Sequence, residues 1–457
     1  MHYRYGLKSI SLILAAMFTA SMFFTACKKD DDDFPDMEYP EETTAESTDD
    51  QSVPQDQESD IISITVASPY SSETIEYLAK LYYCKENDLF GENTGDTVSL
   101  SFLDGIYPDF IVNSIVTSGE GLSLDNIIEM NNNGGVIDLF LTGHVDDSIQ
   151  RDKIVPLNEY LSSNSLIASG KVYMSEMDKD THNGLLYGIP FYSSVQLMIG
   201  NSDFIPDSGK IPFRYNTAKL IEYLSEIKNE YNCTPLYSGY DLMPYICSSF
   251  SDVDRCSFML MDEYRADPEG TMEVIGSELS FVNSLYGSRL SGDLTVSGSN
   301  PVFSRDAGMW VSSSSEISSW EAYYPSGIYF VGLPVADNAR MIPIVNLYSL
   351  CVNKASPNQK FASEFAAFMA LDTDARTLLE RLEPMTGFLP SVKNQEVWNH
   401  VLADEIFGQV ANNYYQNMED AVYCPDVSDS TYSSVIGYFD TYEGGEFDPE
   451  ACYGYTR

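Results

Sequence analysis

Carboxylates are the side chains of this sequence with the most evident capacity for chemistry. The 457-residue chain has 69 Asp and Glu, against 25 Lys and Arg and four His. Hydrolysis of a glycosidic bond needs two carboxylates placed across it, one with a raised pKa. So many acids form pairs by abundance alone, and the sequence has no H-E-x-x-H, G-x-S-x-G or phosphate-binding glycine loop. We therefore expect a protein that is not an enzyme.

Cysteine and histidine do not form a metal-binding pattern. Apart from Cys27 there are seven cysteines, with no C-x-x-C and no His at zinc spacing, so we expect no metal and no cofactor. An odd number leaves at least one thiol free. In an exported protein Cys247 could pair with Cys256, and Cys424 with Cys452, and the sequence does not decide between these states.

The charge of the chain limits its partners. The formal net charge is −44, so nucleic acids, anionic lipid head groups and other polyanions find no basic surface to bind. A neutral or cationic ligand is favoured. The charge therefore argues against a polyanion as the partner.

The amino terminus has the pattern of an export signal. Arg4 and Lys8 precede an apolar run over residues 10–24, and Phe-Thr-Ala-Cys ends it at Cys27. This ending resembles a bacterial lipobox, which implies cleavage of residues 1–26 and a diacylglyceryl group on Cys27 that anchors the protein at the outer face of the cell membrane. Residues 27–60 follow as an acidic tether, and this composition predicts disorder.

After residue 60, strand and helix patterns alternate. Ile62, Ile64 and Val66 predict a strand, and apolar residues at helical spacing from Ile75 to Tyr82 predict a helix. Residues 98–103 and 136–141 are predicted as further strands. The helical patterns that follow are 156–161 and 219–231. This alternation predicts an α/β fold with a mostly parallel sheet covered on both faces.

Loops at the carboxyl ends of such strands are the expected ligand sites. Residues 68–72 and 142–146 follow the first and third predicted strands. They contribute the candidate binding residues Tyr70, Ser71, Ser72, His144 and Asp146. Ser71 has an alternative interpretation as the cap of the following helix.

The clearest helix start lies at residues 356–359. Ser356 is predicted to cap it, Pro357 to occupy its first position, and Gln359 to complete a capping box. Phe361, Phe365 and Phe368 predict its buried stripe.

Three sequence blocks, in this order, resemble the extracellular solute-binding proteins of family 1, the maltose-binding type of receptor for bacterial ABC importers. They are Leu-Tyr-Gly-Ile-Pro-Phe-Tyr at 186–192, Gly-Met-Trp-Val-Ser-Ser-Ser-Ser at 308–315, and Val-Asn-Leu-Tyr-Ser-Leu-Cys-Val-Asn-Lys at 345–354. Gly-Phe-Leu-Pro at 387–390 resembles a terminal signature. Together they relate nearly all of the chain from residue 61 to that family.

The resemblance implies a two-lobed fold of the type II periplasmic-binding class. The implied lobes are residues 61–189 plus 347–390 and residues 190–346 plus 391–457, with hinge residues Pro190 and Asn346. A monomeric receptor would close around its solute and present it to the permease subunits of the importer. Sugar sites combine aromatic rings with short polar groups.

The solute that the resemblance implies is a small neutral saccharide or oligosaccharide, and the same blocks contribute further candidate residues for its site. They are Tyr192, Ser193, Trp310, Ser312, Ser313 and Tyr348. Tyr348 stands where many members have a sugar-stacking Trp, whereas Ser315 replaces the Trp of the second block. Trp310 has an alternative interpretation as a core residue. A receptor for peptides or cationic solutes and a secreted glycoside hydrolase are the alternative functions.

Overall fold

A computed structural model of the chain describes residues 61–90, 98–169, 171–237, 266–292, 300–336, 341–424, 434, 437–438 and 448–452. The predicted signal sequence, Cys27 and the acidic tether lie outside these ranges, as do Cys247 and Cys256. Within them, no helix combines the length and the apolar character needed to span a membrane.

The described residues form thirteen strands and fifteen α-helices. The strands are β1 (Ser63–Ser68), β2 (Ile111–Val116), β3 (Leu139–Thr142), β4 (Thr181–His182), β5 (Leu185–Leu186), β6 (Gly188–Asn201), β7 (Thr234–Tyr237), β8 (Ser291–Gly292), β9 (Ala307–Ser313), β10 (Ile328–Val331), β11 (Ile344–Val352), β12 (Leu389–Pro390) and β13 (Val422–Tyr423). The helices are α1 (Ser72–Glu86), α2 (Leu100–Leu103), α3 (Leu124–Asn132), α4 (Val145–Gln150), α5 (Asn158–Leu161), α6 (Ser165–Ala168), α7 (Met174–Lys179), α8 (Thr217–Glu230), α9 (Pro268–Gly287), α10 (Ile317–Tyr323), α11 (Gln359–Leu371), α12 (Thr373–Leu382), α13 (Gln395–Leu402), α14 (Gly408–Tyr414) and α15 (Pro449–Cys452).

Within the described residues, eleven strands form one mixed sheet whose main order is β2-β1-β3-β11-β6-β9-β7-β8. The strands β2, β1 and β3 are parallel to one another, and so are β9, β7 and β8. The antiparallel pair β11 and β6 joins these two parallel groups. The predicted α/β class is confirmed, and the sheet has a parallel group of strands on either side of two crossing strands.

The long strand β6 belongs to both halves. Its first part pairs with β11 and its last part, from Gln196, pairs with β9, and all fourteen residues are buried. Pro190 lies opposite Ser349, and the register skips Phe191 at this point. A proline has no N–H to donate to the ladder, so a bulge is the expected local response.

Helices pack on the sheet through the apolar stripes that the sequence shows. In α1, Ile75, Leu78, Ala79 and Tyr82 are buried as predicted, and the Ser71 side chain accepts the hydrogen bond from the Thr74 N–H. The ring of Tyr82 contacts Phe361, Phe365 and Phe368 of α11, with centroid distances of 5.2–5.7 Å. A second apolar cluster packs α8 and α9 on β7 and β9 in the other half.

Two local predictions are wrong. Residues 98–103, predicted as a strand, contain the short helix α2 at 100–103, in which Leu103 is buried. The strand that pairs with β1 is the later β2. So short an apolar pattern fits the period of a helix as well as that of a strand, so it could not distinguish the two. The helix α11 begins at Gln359 without the expected capping box: Ser356 accepts from the Asn358 N–H and donates to Asp138 at 2.5 Å.

The cysteines of the described residues are free thiols. They are Cys84, Cys233, Cys351, Cys424 and Cys452. The disulfide considered between Cys424 and Cys452 is therefore absent from the structure.

Candidate functional site

A cavity of about 340 Å³ lies where the loop after β3 meets the start of β11. Its walls come from three other segments besides these two: the turn at Glu120, the end of α7, and β13 with the residue that follows it. The lining residues are Glu120, Gly143, His144, Val145, Asp146, Lys179, Asp180, Val345, Asn346, Leu347, Tyr348, Tyr423 and Cys424. The cavity thus lies along β11, one of the two strands that connect the halves of the sheet.

An ion-pair cluster forms one wall of the cavity. Lys179 Nζ lies 2.7 Å from Asp146 Oδ2, and His182 Nε2 lies 2.8 Å from Asp146 Oδ1. Asp146 is in the first turn of α4, where the helix dipole favours a negative charge. The two basic side chains hold the Asp146 carboxylate in place at the cavity wall.

Asp180 is a second carboxyl group in the lining, and it is 1% exposed. Burial raises its pKa to about 7; the Ser349 hydroxyl and the Lys179 ammonium lower it in part, and Asp146 raises it further. Its Oδ2 atom has no hydrogen-bond partner among the described residues. Gly188 allows the close approach of this carboxyl, since a Cβ there would lie 2.8 Å from Oδ2.

The ring of Tyr348 is one aromatic surface of the cavity. It packs against Tyr192 and Phe388, each with a centroid distance of 5.7 Å, which fixes its orientation from behind. A Cβ at Gly143 would lie 3.2 Å from the ring, so this glycine leaves room for it. A ring fixed from behind and bordering a cavity is suited to stack on the C–H face of a sugar.

A chain of hydroxyl groups connects two parts of the lining. The Tyr348 hydroxyl lies 3.5 Å from Ser194 Oγ, and Ser313 Oγ donates to Ser194 at 2.9 Å. Ser313 and Ser315 are linked at 2.9 Å, and Ser315 donates to Glu120 Oε1 at 3.3 Å. Ser315, where the resembled block has Trp, therefore contacts a residue that lines the cavity.

The structure brings four predicted residues together in the lining. They are His144, Asp146, Asn346 and Tyr348. Ser313 does not line the cavity: two hydrogen bonds of the hydroxyl chain separate it from Tyr348 on one side and from Glu120 on the other. The predicted loop at 142–146 is shorter than expected, because α4 begins at Val145.

The other predicted residues do not line the cavity. Ser71 caps α1 and Ser72 is its first residue. Tyr192 donates to the Gly119 carbonyl at 2.5 Å, and Ser193 donates to Glu176 at 2.7 Å. Tyr70, at 1% exposure, packs edge-on against Phe191.

Trp310 and Ser312 also lie outside the lining and pack against other residues. Trp310 is 2% exposed and stacks on Tyr324 at 5.0 Å, as its core interpretation predicts. Ser312 hydrogen-bonds Glu316 and accepts from Trp320 Nε1 at 2.9 Å. The hinge candidate Pro190 lies within β6, outside the lining.

Sequence reasoning missed four polar residues of the lining. They are Glu120, Lys179, Asp180 and Tyr423. Glu120 lies in a Ser-Gly-Glu-Gly turn and Asp180 is the C-cap of α7, positions that are typical of turns in any protein. No group of three or more His, Cys, Asp or Glu in the described residues could hold a metal ion.

Sequence comparisons match the chain to no protein-family model and to no curated protein. Its structure, however, is similar to solved ABC substrate-binding proteins. One from Listeria monocytogenes, in complex with cycloalternan, has a TM-score of 0.58 at 13% identity, over 86% of this chain and 97% of that one.

Two further solved structures show the same likeness. The GacH receptor of Streptomyces glaucescens, studied unliganded and with acarbose, has a TM-score of 0.57 at 14% identity, with 86% and 96% coverage. The sugar-binding protein MalE from Xanthomonas citri has a TM-score of 0.57 at 12% identity, with 86% and 94% coverage. The resemblance seen in the sequence blocks is thus confirmed in the fold: the chain has the two-lobed α/β fold of the maltose-binding type of ABC substrate-binding proteins.

Proposed function

We propose that the protein is a lipid-anchored receptor of an ABC importer that captures a small saccharide in the cavity at Tyr348. The observation that carries the proposal is the position of this cavity beside β11, where this strand crosses between the two halves. The cavity is lined by an aromatic ring and by polar groups that come from both halves. Solved proteins of similar fold hold cycloalternan, acarbose or maltotetraose. The receptor acts without catalysis.

Closure is proposed to occur by rotation of the two halves about β6 and β11. The halves would be residues 61–189 plus 347–390 and residues 190–346 plus 391–457, with bending near Pro190 and Asn346. A ligand that contacts both halves stabilises the closed state, and a nearly complete shift from open to closed needs a preference of roughly 5.5 kcal/mol. The permease would then recognise the closed receptor at the outer face of the membrane.

Calorimetry on the full-length protein in mild detergent tests the proposal, with a panel of mono-, di- and trisaccharides. We expect saturable binding of at least one saccharide, and a smaller radius of gyration in X-ray scattering when it is bound. No binding across the panel, with binding of a peptide or a simple cation instead, would contradict the proposal. Release of new reducing ends from an oligosaccharide would support the hydrolase alternative.

Lipidation has a separate test. Cells that express the protein are labelled with a radioactive fatty acid, and a Cys27→Ala variant serves as the control. We expect label in the native chain and none in the variant. Equal labelling of the two chains would contradict the proposed anchor.

A further inference from the structure

The cavity has more negative than positive groups. Its lining contains the carboxyls of Glu120, Asp146 and Asp180 and a single lysine, Lys179. The Lys179 ammonium is bound to Asp146 at 2.7 Å, and His182 lies against the same carboxylate. Asp146 is therefore compensated within the protein, whereas the other two carboxyls have no ion pair among the described residues.

Asp180 is the carboxyl in the less favourable environment. It is almost fully buried, its Oδ2 lacks a hydrogen-bond partner among the described residues, and burial raises its pKa to about 7. A buried carboxylate without a paired cation carries a large desolvation cost. A positively charged donor in the cavity would relieve that cost, because it offers both a hydrogen bond and an opposite charge.

Glu120 lies elsewhere in the lining and is exposed. Its partner among the described residues is the neutral hydroxyl of Ser315, at 3.3 Å. The carboxylate is thus held in position without neutralisation. Glu120 and the ionised form of Asp180 give the cavity a negative potential that attracts cations, in agreement with the net charge of the whole chain.

The rest of the lining is suited to a ring with hydroxyl groups. Tyr348 offers a flat apolar face, while Asn346 and His144 offer polar atoms. The volume of about 340 Å³ is at the low end of ligand sites, which span roughly 300–1,000 Å³. This favours a compact ligand over an extended peptide.

We propose that the captured solute is an amino sugar, whose protonated amino group binds at Asp180 while its ring lies against Tyr348. This inference rests on the proposed saccharide-binding function and specifies its substrate class. Glu120 contributes a longer-range attraction to the same positive charge. A neutral sugar of equal size forms the same stacking contact but leaves Asp180 without a cation.

Calorimetry with matched sugars tests the inference at pH 7. The probes are glucosamine, glucose and N-acetylglucosamine, and the corresponding β-1,4-linked disaccharides. We expect the amino form to bind at least about tenfold more tightly than either neutral form, since a charged hydrogen bond is stronger than a neutral one. Equal or tighter binding of the neutral forms would overturn the inference and leave the proposed function intact.

Variants then assign the preference to Asp180. In Asp180→Asn we expect the amino sugar to bind no more than about threefold more tightly than the neutral sugars, because only the attraction by Glu120 remains. In Glu120→Gln we expect a smaller loss, about threefold, for the amino sugar. Asp178→Asn removes a charge from an exposed residue of the same helix and should retain the full preference. A full preference in Asp180→Asn would overturn the assignment.

Putrescine distinguishes failure of the inference from failure of the proposed function. Weak or undetectable binding of putrescine, with tight binding of the amino sugar, supports the inference. Binding of putrescine with no binding of any saccharide would contradict both the assignment of the ligand as a sugar and the proposed function.

Discussion

Ser193 of β6 donates a hydrogen bond of 2.7 Å to Oε1 of Glu176, so a buried carboxyl of α7 contacts the strand that joins the two halves. Glu176 is fully buried, and burial raises its pKa to about 7. The hydroxyls of Ser193 and Ser391 offset part of this rise; Asp180 adds to it and Arg376 lowers it.

Glu176→Gln should therefore change the pH dependence of stability. The pKa is about 7 in the folded protein and near 4.5 in the unfolded chain, so the folded state retains its proton over this interval. The contribution of Glu176 to the free energy of unfolding is fully present below about pH 4.5. It is lost as the pH rises from there through 7, and the loss is on the order of 3 kcal/mol. We expect Tm to fall less between pH 5 and pH 8 in the variant than in the native protein.

Asp178→Asn is the matched control for this measurement, because Asp178 is exposed on the same helix. Its Tm profile should follow that of the native protein. Superimposable profiles of Glu176→Gln and the native protein would contradict the role of the buried carboxyl.

Tyr348→Ala should weaken saccharide binding by at least about tenfold, because it removes the ring on which the sugar stacks. The ring is 6% exposed, so the change should also lower the free energy of unfolding by about 3 kcal/mol. Calorimetry is therefore performed at a temperature at which circular dichroism shows the variant folded. Tyr160→Ala, outside the lining, should leave the affinity unchanged. Unchanged affinity in Tyr348→Ala would remove the ring from the site.

Gly387→Ala should be strongly destabilising. Its φ is +92°, and a Cβ would lie 2.1 Å from the Ser314 carbonyl oxygen, which belongs to the backbone and cannot rotate away. We expect a loss of more than about 2 kcal/mol in denaturant unfolding.

Gly184→Ala isolates the backbone part of this effect. Gly184 has φ +78°, and a Cβ there meets no atom within 4 Å. The expected loss is about 1 kcal/mol. Equal losses of stability in the two variants would show that the contact between the added Cβ and Ser314 does not destabilise the protein.

Cys424 and Cys452 should both react with iodoacetamide in denaturant without a reductant, because neither is in a disulfide. In the native protein we expect slow reaction at pH 8, since burial raises the pKa of each thiol to about 12 and little thiolate is present. Peptide mass spectrometry measures both states. Labelling that requires prior reduction would indicate a disulfide.

Much of the fold could be predicted from local sequence. The stripe from Ile75 to Tyr82 and the phenylalanines of α11 have periods that only a helix can bury on one face. Residues 98–103 could not be assigned in this way. The location of β2 in the sheet depends on its pairing with β1, a contact that no local pattern encodes.

The candidate site could be predicted in part, where it follows a strand end or where the family resemblance indicates a binding residue. His144 and Asp146 follow β3, and Tyr348 lies on a crossing strand, so all three could be inferred. Asp180 matters to the site because its carboxyl is buried against Gly188 and Ser349. Ser349 is distant in the sequence, and Gly188 has no side chain that would indicate the contact. Buried isolation of a carboxyl is a property of tertiary packing, so composition could not reveal it.

The shared strand β6 also restricts how the gene for this protein can change. Its fourteen residues are all buried, and successive side chains face opposite sides of the sheet. Insertion of one codon would exchange the faces of every later side chain in the strand. Surface loops elsewhere tolerate changes of length, whereas here a single added amino acid would disrupt one half of the molecule while the other half kept its register.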